Sequence, residues 1–172
     1  MGSEMCIRDS TKHKIRQYVP GTKSIFLEVS RCQDYSFTPS HLSHAISIFT
    51  AEYAKTHDMT YEEVSSKLAG LTIEVSIIPK VLKNVYDIDG KFISEPIGVT
   101  GLAISKNRIW VEVKTSKIFD SALFHELVHV IIWRENIVHG DPDHEGDQFS
   151  GWTKKHTLML KRLKHNLMDL DL

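Results

Sequence analysis

The chain has 172 residues, which is enough for one domain with a hydrophobic core and too few for two ordinary domains. Hydrophobic residues make up 41% and charged residues 25%, proportions that exclude disordered, collagen-like and coiled-coil proteins. Because 21 basic side chains are balanced by 22 acidic ones, nucleic-acid binding is not indicated. No apolar run approaches the roughly 20 residues that a membrane-spanning helix needs.

The first ten residues are expected to be a non-native leader that is separate from the fold. Residues 5–10, with the sequence MCIRDS, match the translation of a transposase adapter used in sequencing libraries. We therefore expect a single domain over residues 11–172. Without Cys6, that domain holds Cys32 alone, which excludes an internal disulfide and favours a reducing compartment such as the cytoplasm.

The first half of the domain is predicted to hold one strand and two helices. The strand covers residues 25–29. Thr38, followed by a proline, begins a helix whose apolar residues recur every three or four positions, the spacing of one buried face. Thr60 and Glu63 form a capping-box pattern that begins a second helix, and Gly70 ends it.

The second half is predicted to begin with strands. Residues 71–78 alternate and are rich in β-branched residues, which favours a half-buried strand. Asp89-Gly90 between apolar residues indicates a hairpin, and residues 99–104 and 109–113 are two strands joined by a polar turn. The whole pattern predicts an α+β domain, in which a small, mostly antiparallel sheet packs against a buried helix and a C-terminal helix.

The buried helix covers residues 120–135 and carries the polar residues that require an explanation. Apolar side chains surround its axis on nearly every side, so the helix is predicted to run through the core. His125, Glu126 and His129 lie in the middle of this segment. A buried imidazole or carboxylate without a partner costs several kcal/mol, so we expect these three groups to be satisfied.

A zinc ion would satisfy them. Four residues apart on a helix, His125 and His129 project from one face, and their nitrogens can bind one Zn²⁺ at about 2.0 to 2.1 Å. Glu126 lies beside the first ligand, within reach of a zinc-bound water whose pKa the metal lowers toward about 7. The H-E-x-x-H spacing therefore predicts a hydrolytic zinc site with Glu126 as the general base.

The third zinc ligand is expected from the segment that follows this helix. A Gly-Asp-Pro-Asp turn would fold the chain back, and His144 comes directly after it. A new segment with the apolar spacing of a helix follows, and it contains Trp152 and His156. We predict His144 as the ligand, while His139, Asp141, Asp143 and Glu145 remain the alternatives. The basic residues of the C-terminal helix are interpreted as a solvated face.

The motif and its surroundings resemble those of zincin metallopeptidases, in particular the SprT-like group and related small bacterial zincins. The matching features lie in the C-terminal half: two strands before the helix, the motif HELVH from His125 to His129, and a later histidine before a helix with aromatic residues. The resemblance implies zinc, the ligands His125, His129 and His144, and Glu126 as the base. It also implies that residues 98–104 form the sheet edge that binds a peptide.

This sequence departs from the SprT-like pattern at two points. His144 is followed by Glu145, where SprT-like proteins tend to have glycine, and no four-cysteine zinc ribbon follows. A role in cleaving DNA-bound proteins is therefore not expected. The leading hypothesis is a zinc-dependent peptidase that acts on a peptide or protein. The alternatives are a catalytically inactive zincin-like binding module and a nucleic-acid-associated protein that uses the basic C-terminal helix.

Overall fold

The computed structural model contains nine strands and four helices within the residues that it describes. The described residues are 14–30, 38–77, 80–82, 85–86, 92–94, 97–113, 122–136 and 151–168. The strands are β1 (Lys14–Tyr18), β2 (Phe26–Ser30), β3 (Thr72–Ser76), β4 (Lys80–Leu82), β5 (Val85–Tyr86), β6 (Phe92–Ser94), β7 (Ile97–Val99), β8 (Gly101–Ser105) and β9 (Arg108–Glu112). The helices are α1 (Pro39–Thr56), α2 (Tyr61–Lys67), α3 (Leu123–Asn136) and α4 (Lys154–Met168).

The five-stranded sheet has the strand order β1-β2-β3-β9-β8. The pairs β1–β2 and β8–β9 are antiparallel, whereas β2–β3 and β3–β9 are parallel. The expectation of a mostly antiparallel sheet was therefore wrong for this sheet, which is mixed. The reason is the connection between β2 and β3: it contains α1 and α2, and a helical crossover lets two strands run parallel.

Two shorter strand pairs lie outside this sheet. β5 pairs with β6 in antiparallel fashion across the Asp89-Gly90 position, as the hairpin signal predicts, although these two turn residues lie outside the described ones. β4 pairs antiparallel with β7. The α+β class is confirmed.

The capping residues predicted from the sequence begin the first two helices. The Thr60 hydroxyl accepts from the Glu63 amide, and the Glu63 carboxylate accepts from the Thr60 amide at 2.8 Å. Thr38 and His41 make the corresponding pair at the start of α1. Gly70 adopts a φ of 79°, the left-handed region that glycine enters without strain, in the turn that leads into β3.

One face of the sheet packs against the helices to form the core. Alternate strand positions supply apolar side chains in register, such as Leu27 beside Ile73 and Ile73 beside Ile109. The opposite face carries Glu28, whose pKa is lowered chiefly by a hydrogen bond from the neighbouring Arg108 guanidinium, against the opposing effect of burial. This alternation of apolar and polar positions fixes which face each strand presents to the core.

Arg134, near the end of α3, connects this helix to two other parts of the fold by hydrogen bonds. Its guanidinium donates to the carbonyl oxygens of Lys67, the last residue of α2, and of Ala69, which follows that helix. It also donates to the carbonyl oxygen of Lys106 in the turn between β8 and β9. These bonds hold α3 beside β8 and β9, which it contacts. Among the helices in the described ranges, none has both the length and the apolar character required to cross a bilayer.

Candidate metal centre

Helix α3 passes through the core, as its sequence predicts. Five of its side chains are fully shielded from solvent: Leu123, Leu127, Val128, Val130 and Ile131. Among these apolar residues, Glu126 and His129 are buried and His125 is half-buried. The three groups of the motif therefore lie where polar atoms need partners.

The two histidines of the motif bring their ring nitrogens together. The Nε2 atoms of His125 and His129 are 3.1 Å apart, and the ring planes meet at 71°. Two tetrahedral ligands at about 2.0 to 2.1 Å from one zinc ion would have nitrogens about 3.3 to 3.4 Å apart. The observed separation is that of a hydrogen bond between the two rings, and it is within a few tenths of an ångström of the zinc value. A small movement of the side chains would place the two nitrogens at two corners of a zinc site.

The side chain of Glu126 extends from α3 toward the strand β8. It is buried, and its carboxylate accepts a hydrogen bond from the backbone N–H of Ala103. Burial raises the pKa of Glu126 to about 8, while the hydrogen bond acts in the opposite direction. In the metal-free protein, this carboxyl group is therefore largely protonated at neutral pH.

Strand β8 lies at the edge of the five-stranded sheet, beside the first turn of α3. A Cβ added to Gly101 would lie 2.6 Å from the Cβ of Ala122 and 2.8 Å from Oε1 of Glu126. The edge strand expected over residues 98–104 is therefore observed beside the motif for residues 101–104, within the described part of the chain. Residues 97–99 instead form β7 and pair with β4.

Trp152 forms an aromatic wall beside the histidine pair. Its ring centroid is 4.9 Å from the ring of His125 and 4.9 Å from the ring of His129. The indole N–H donates to the hydroxyl of Thr157 at 2.9 Å, which fixes the ring. The sequence indicated Trp152 only as a core residue of the C-terminal helical stripe, because a contact with the motif across the fold leaves no local pattern.

His156 lies in the core next to this wall, where it is fully hydrogen-bonded. Its Nδ1 accepts from the Thr153 amide at 3.0 Å, and its Nε2 is 3.0 Å from the hydroxyl oxygen of Tyr53. Burial, together with the nearby His57, lowers the pKa of His156 to about 4, so the ring is neutral at pH 7. The neutral ring with Nδ1 as acceptor donates its Nε2 proton to Tyr53.

The predicted third ligand lies outside the described residues. His144 and its alternatives His139, Asp141, Asp143 and Glu145 all fall in the segment 137–150, of which nothing is described. Within the described ranges, no group of three or more histidine, cysteine, aspartate or glutamate side chains could hold a metal ion. The described site thus consists of two candidate ligands and one carboxylate.

The basic residues of α4 lie on its exposed face, in agreement with the interpretation as a solvated surface. They are Lys154, Lys155, Lys161, Arg162 and Lys164. Arg162 also contacts Glu52 of α1 at 3.3 Å.

No protein-family model, curated protein or solved structure matches this chain. The resemblance to zincins therefore depends on the sequence features named above.

Proposed function

We propose that the protein is a zinc-dependent metallopeptidase that hydrolyses peptide bonds. The observation that carries this proposal is the convergence of the His125 and His129 Nε2 atoms at 3.1 Å on a core helix, with the buried carboxylate of Glu126 one residue after the first imidazole. Two imidazoles without a neighbouring carboxylate would suit a structural site equally well. The carboxylate favours hydrolysis, because a structural zinc has no water to activate.

His125 and His129 would hold the zinc ion together with a third ligand from the segment 137–150, for which we propose His144. When bound, zinc supplies a Lewis acid and a water of lowered pKa. The segment ends next to Trp152, which contacts both imidazoles. The chain directly after this segment therefore lies beside the histidine pair.

Glu126 is proposed as the general base. To accept a proton at neutral pH, its carboxyl group must be ionised, and a cation beside it lowers its pKa from the raised value that burial produces. The ionised carboxylate would then take the proton of the attacking water and deliver it to the leaving amine. Base activity and cation binding are thus coupled through one side chain.

The proposed substrate is an extended peptide that pairs with the outer edge of β8. An edge strand binds such a peptide through main-chain hydrogen bonds, and β8 is the edge strand of its sheet that lies beside α3. Because the Glu112 amide donates to the Thr100 carbonyl, strand alternation directs the carbonyl groups of Gly101 and Ala103 away from β9, toward the position of a docked peptide.

The metal site is tested by zinc content after purification and dialysis. Wild-type protein is expected to retain about one zinc ion per chain, and His129→Ala to retain far less. His144→Ala is expected to lose zinc much more readily than the matched variant His139→Ala. Equal retention by these two variants, or the reverse order, would show that the third ligand is a different residue.

The reaction is tested with Glu126→Gln, which preserves size and shape but cannot accept the proton. Its zinc content should equal that of wild type, while hydrolysis of a protein substrate should fall by at least about a hundredfold. Wild-type protein that binds zinc but hydrolyses nothing in broad peptide and peptidoglycan-fragment panels would instead favour the inactive, zinc-binding module.

A further inference from the structure

The contact between Glu126 and β8 uses a backbone group that the sheet leaves unused. The Glu112 amide donates to the Thr100 carbonyl at 2.9 Å, so this residue pair is a hydrogen-bonded pair of the antiparallel ladder. Such pairs alternate, and the next one joins Leu102 and Trp110. The N–H of Ala103 therefore points away from β9. The Glu126 carboxylate accepts a hydrogen bond from this N–H.

Gly101 permits the close approach on which this hydrogen bond depends. A Cβ at this position would lie 2.6 Å from the Ala122 Cβ and 2.8 Å from Glu126 Oε1, both below the contact distances that real Cβ atoms show. The Ala122 Cβ is attached directly to the backbone at the residue that precedes α3, and it has no freedom to turn away. A side chain at position 101 would therefore push β8 away from α3, or push the carboxylate away from the amide.

We propose that Gly101 and Ala103 are positioning residues for Glu126: the Ala103 amide fixes the carboxylate, and the bare Cα of Gly101 admits it. Their effect on turnover rests on the proposed hydrolase function, whereas the contact itself does not. An N–H donor stabilises the ionised carboxylate and restricts its rotation, so a held carboxylate meets the reacting water in one orientation. This effect acts through Glu126 and is separate from the peptide contacts proposed for the carbonyl groups of Gly101 and Ala103, which Ala103→Pro retains.

Amide hydrogen exchange tests the contact without any substrate. In Glu126→Ala, the Ala103 amide should exchange at least tenfold faster than in wild type, because it loses its acceptor. The amide of Leu102, which pairs with β9, serves as the internal control and should change much less. Equal acceleration of both amides, or no acceleration of Ala103, would overturn the proposal.

Measurements of kcat and KM test the positioning role of Ala103. Ala103→Pro removes the donor at an outward position of an edge strand, where proline leaves the ladder intact. We expect a fall in kcat of at least tenfold, with KM and zinc content within twofold of wild type. Arg16→Pro is the matched control, because its amide also points outward, at the opposite edge of the same sheet. This control should keep turnover within twofold.

A double-mutant cycle separates positioning from damage to the fold. In the Glu126→Gln background, Ala103→Pro should cause no further loss of the residual turnover, since the base whose position it affects is gone. The same fold-loss in both backgrounds would overturn the positioning role and leave the hydrolase proposal intact.

Gly101→Ala should also lower kcat, and the second change Ala122→Gly should restore part of it by removing the closest contact. If the double variant is folded but its kcat does not recover, the proposed role of Gly101 is overturned. Protected exchange at Ala103 in a wild-type protein without hydrolytic activity would refute the proposed function and support the contact.

Discussion

The burial of Glu126 makes the stability of the metal-free protein depend on pH. The pKa of its carboxyl group is about 8 in the folded protein, against an ordinary value of 4.5, because burial disfavours the charged form. Between these values, the folded protein holds a proton that the unfolded chain has released. The contribution of Glu126 to the free energy of unfolding therefore decreases as the pH rises through this window, and this contribution is largest below the lower value.

The size of the effect follows from the pKa difference. One pKa unit corresponds to about 1.36 kcal/mol, so this single group lowers the free energy of unfolding by about 3.5 kcal/mol between about pH 5 and about pH 8. Glu126→Gln fills the same space without titrating. We therefore expect its stability relative to wild type to increase by about this amount over the same range.

Urea unfolding of protein treated with a chelator, repeated at intervals of about one pH unit, measures this difference. Subtracting the two curves removes the contribution of the other titrating groups, which both proteins share. Parallel curves, or a wild type that gains stability over the variant as pH rises, would refute the raised pKa. Saturating zinc should shrink the difference, because a cation beside the carboxylate favours its ionised form.

Two predictions concern the packing around the site, and both are measured by urea unfolding. Arg134→Met should lower the free energy of unfolding by about 2 to 4 kcal/mol, because it leaves three half-buried carbonyl groups without their donor. The exposed control Arg162→Met should cost less than about 1 kcal/mol. Tyr53→Phe should cost about 1 to 3 kcal/mol, because the Nε2 proton of His156 loses its acceptor. Its exposed control, Tyr61→Phe, should change stability by less than about 0.5 kcal/mol.

The elements whose pattern is local could be predicted from the sequence. The capping residues Thr60 and Glu63, the alternation over residues 71–78 and the apolar periodicity of α1 and α3 each identify an element without knowledge of its neighbours. β1 was not predicted, because its Lys14–Tyr18 segment is largely polar and resembles a loop. The mixed sheet was not predicted either, since the parallel pairing of β3 with β2 and β9 joins strands that are distant in sequence.

The groups of the candidate site also fall into those that the sequence identifies and those that it does not. His125, Glu126 and His129 could be identified because they lie within five residues of one helix, where spacing alone determines which side chains share a face. The ring of Trp152 and the amide of Ala103 come to the site from other elements. A backbone amide has no signature in sequence, because every residue except proline carries one. The approach of β8 to α3 does restrict the sequence, because only glycine fits where the Cα of one element meets the Cβ and carboxylate of another. Gly101 is the residue restricted in this way, and its role could be recognised only after the structure had placed Ala122 and Glu126 opposite it.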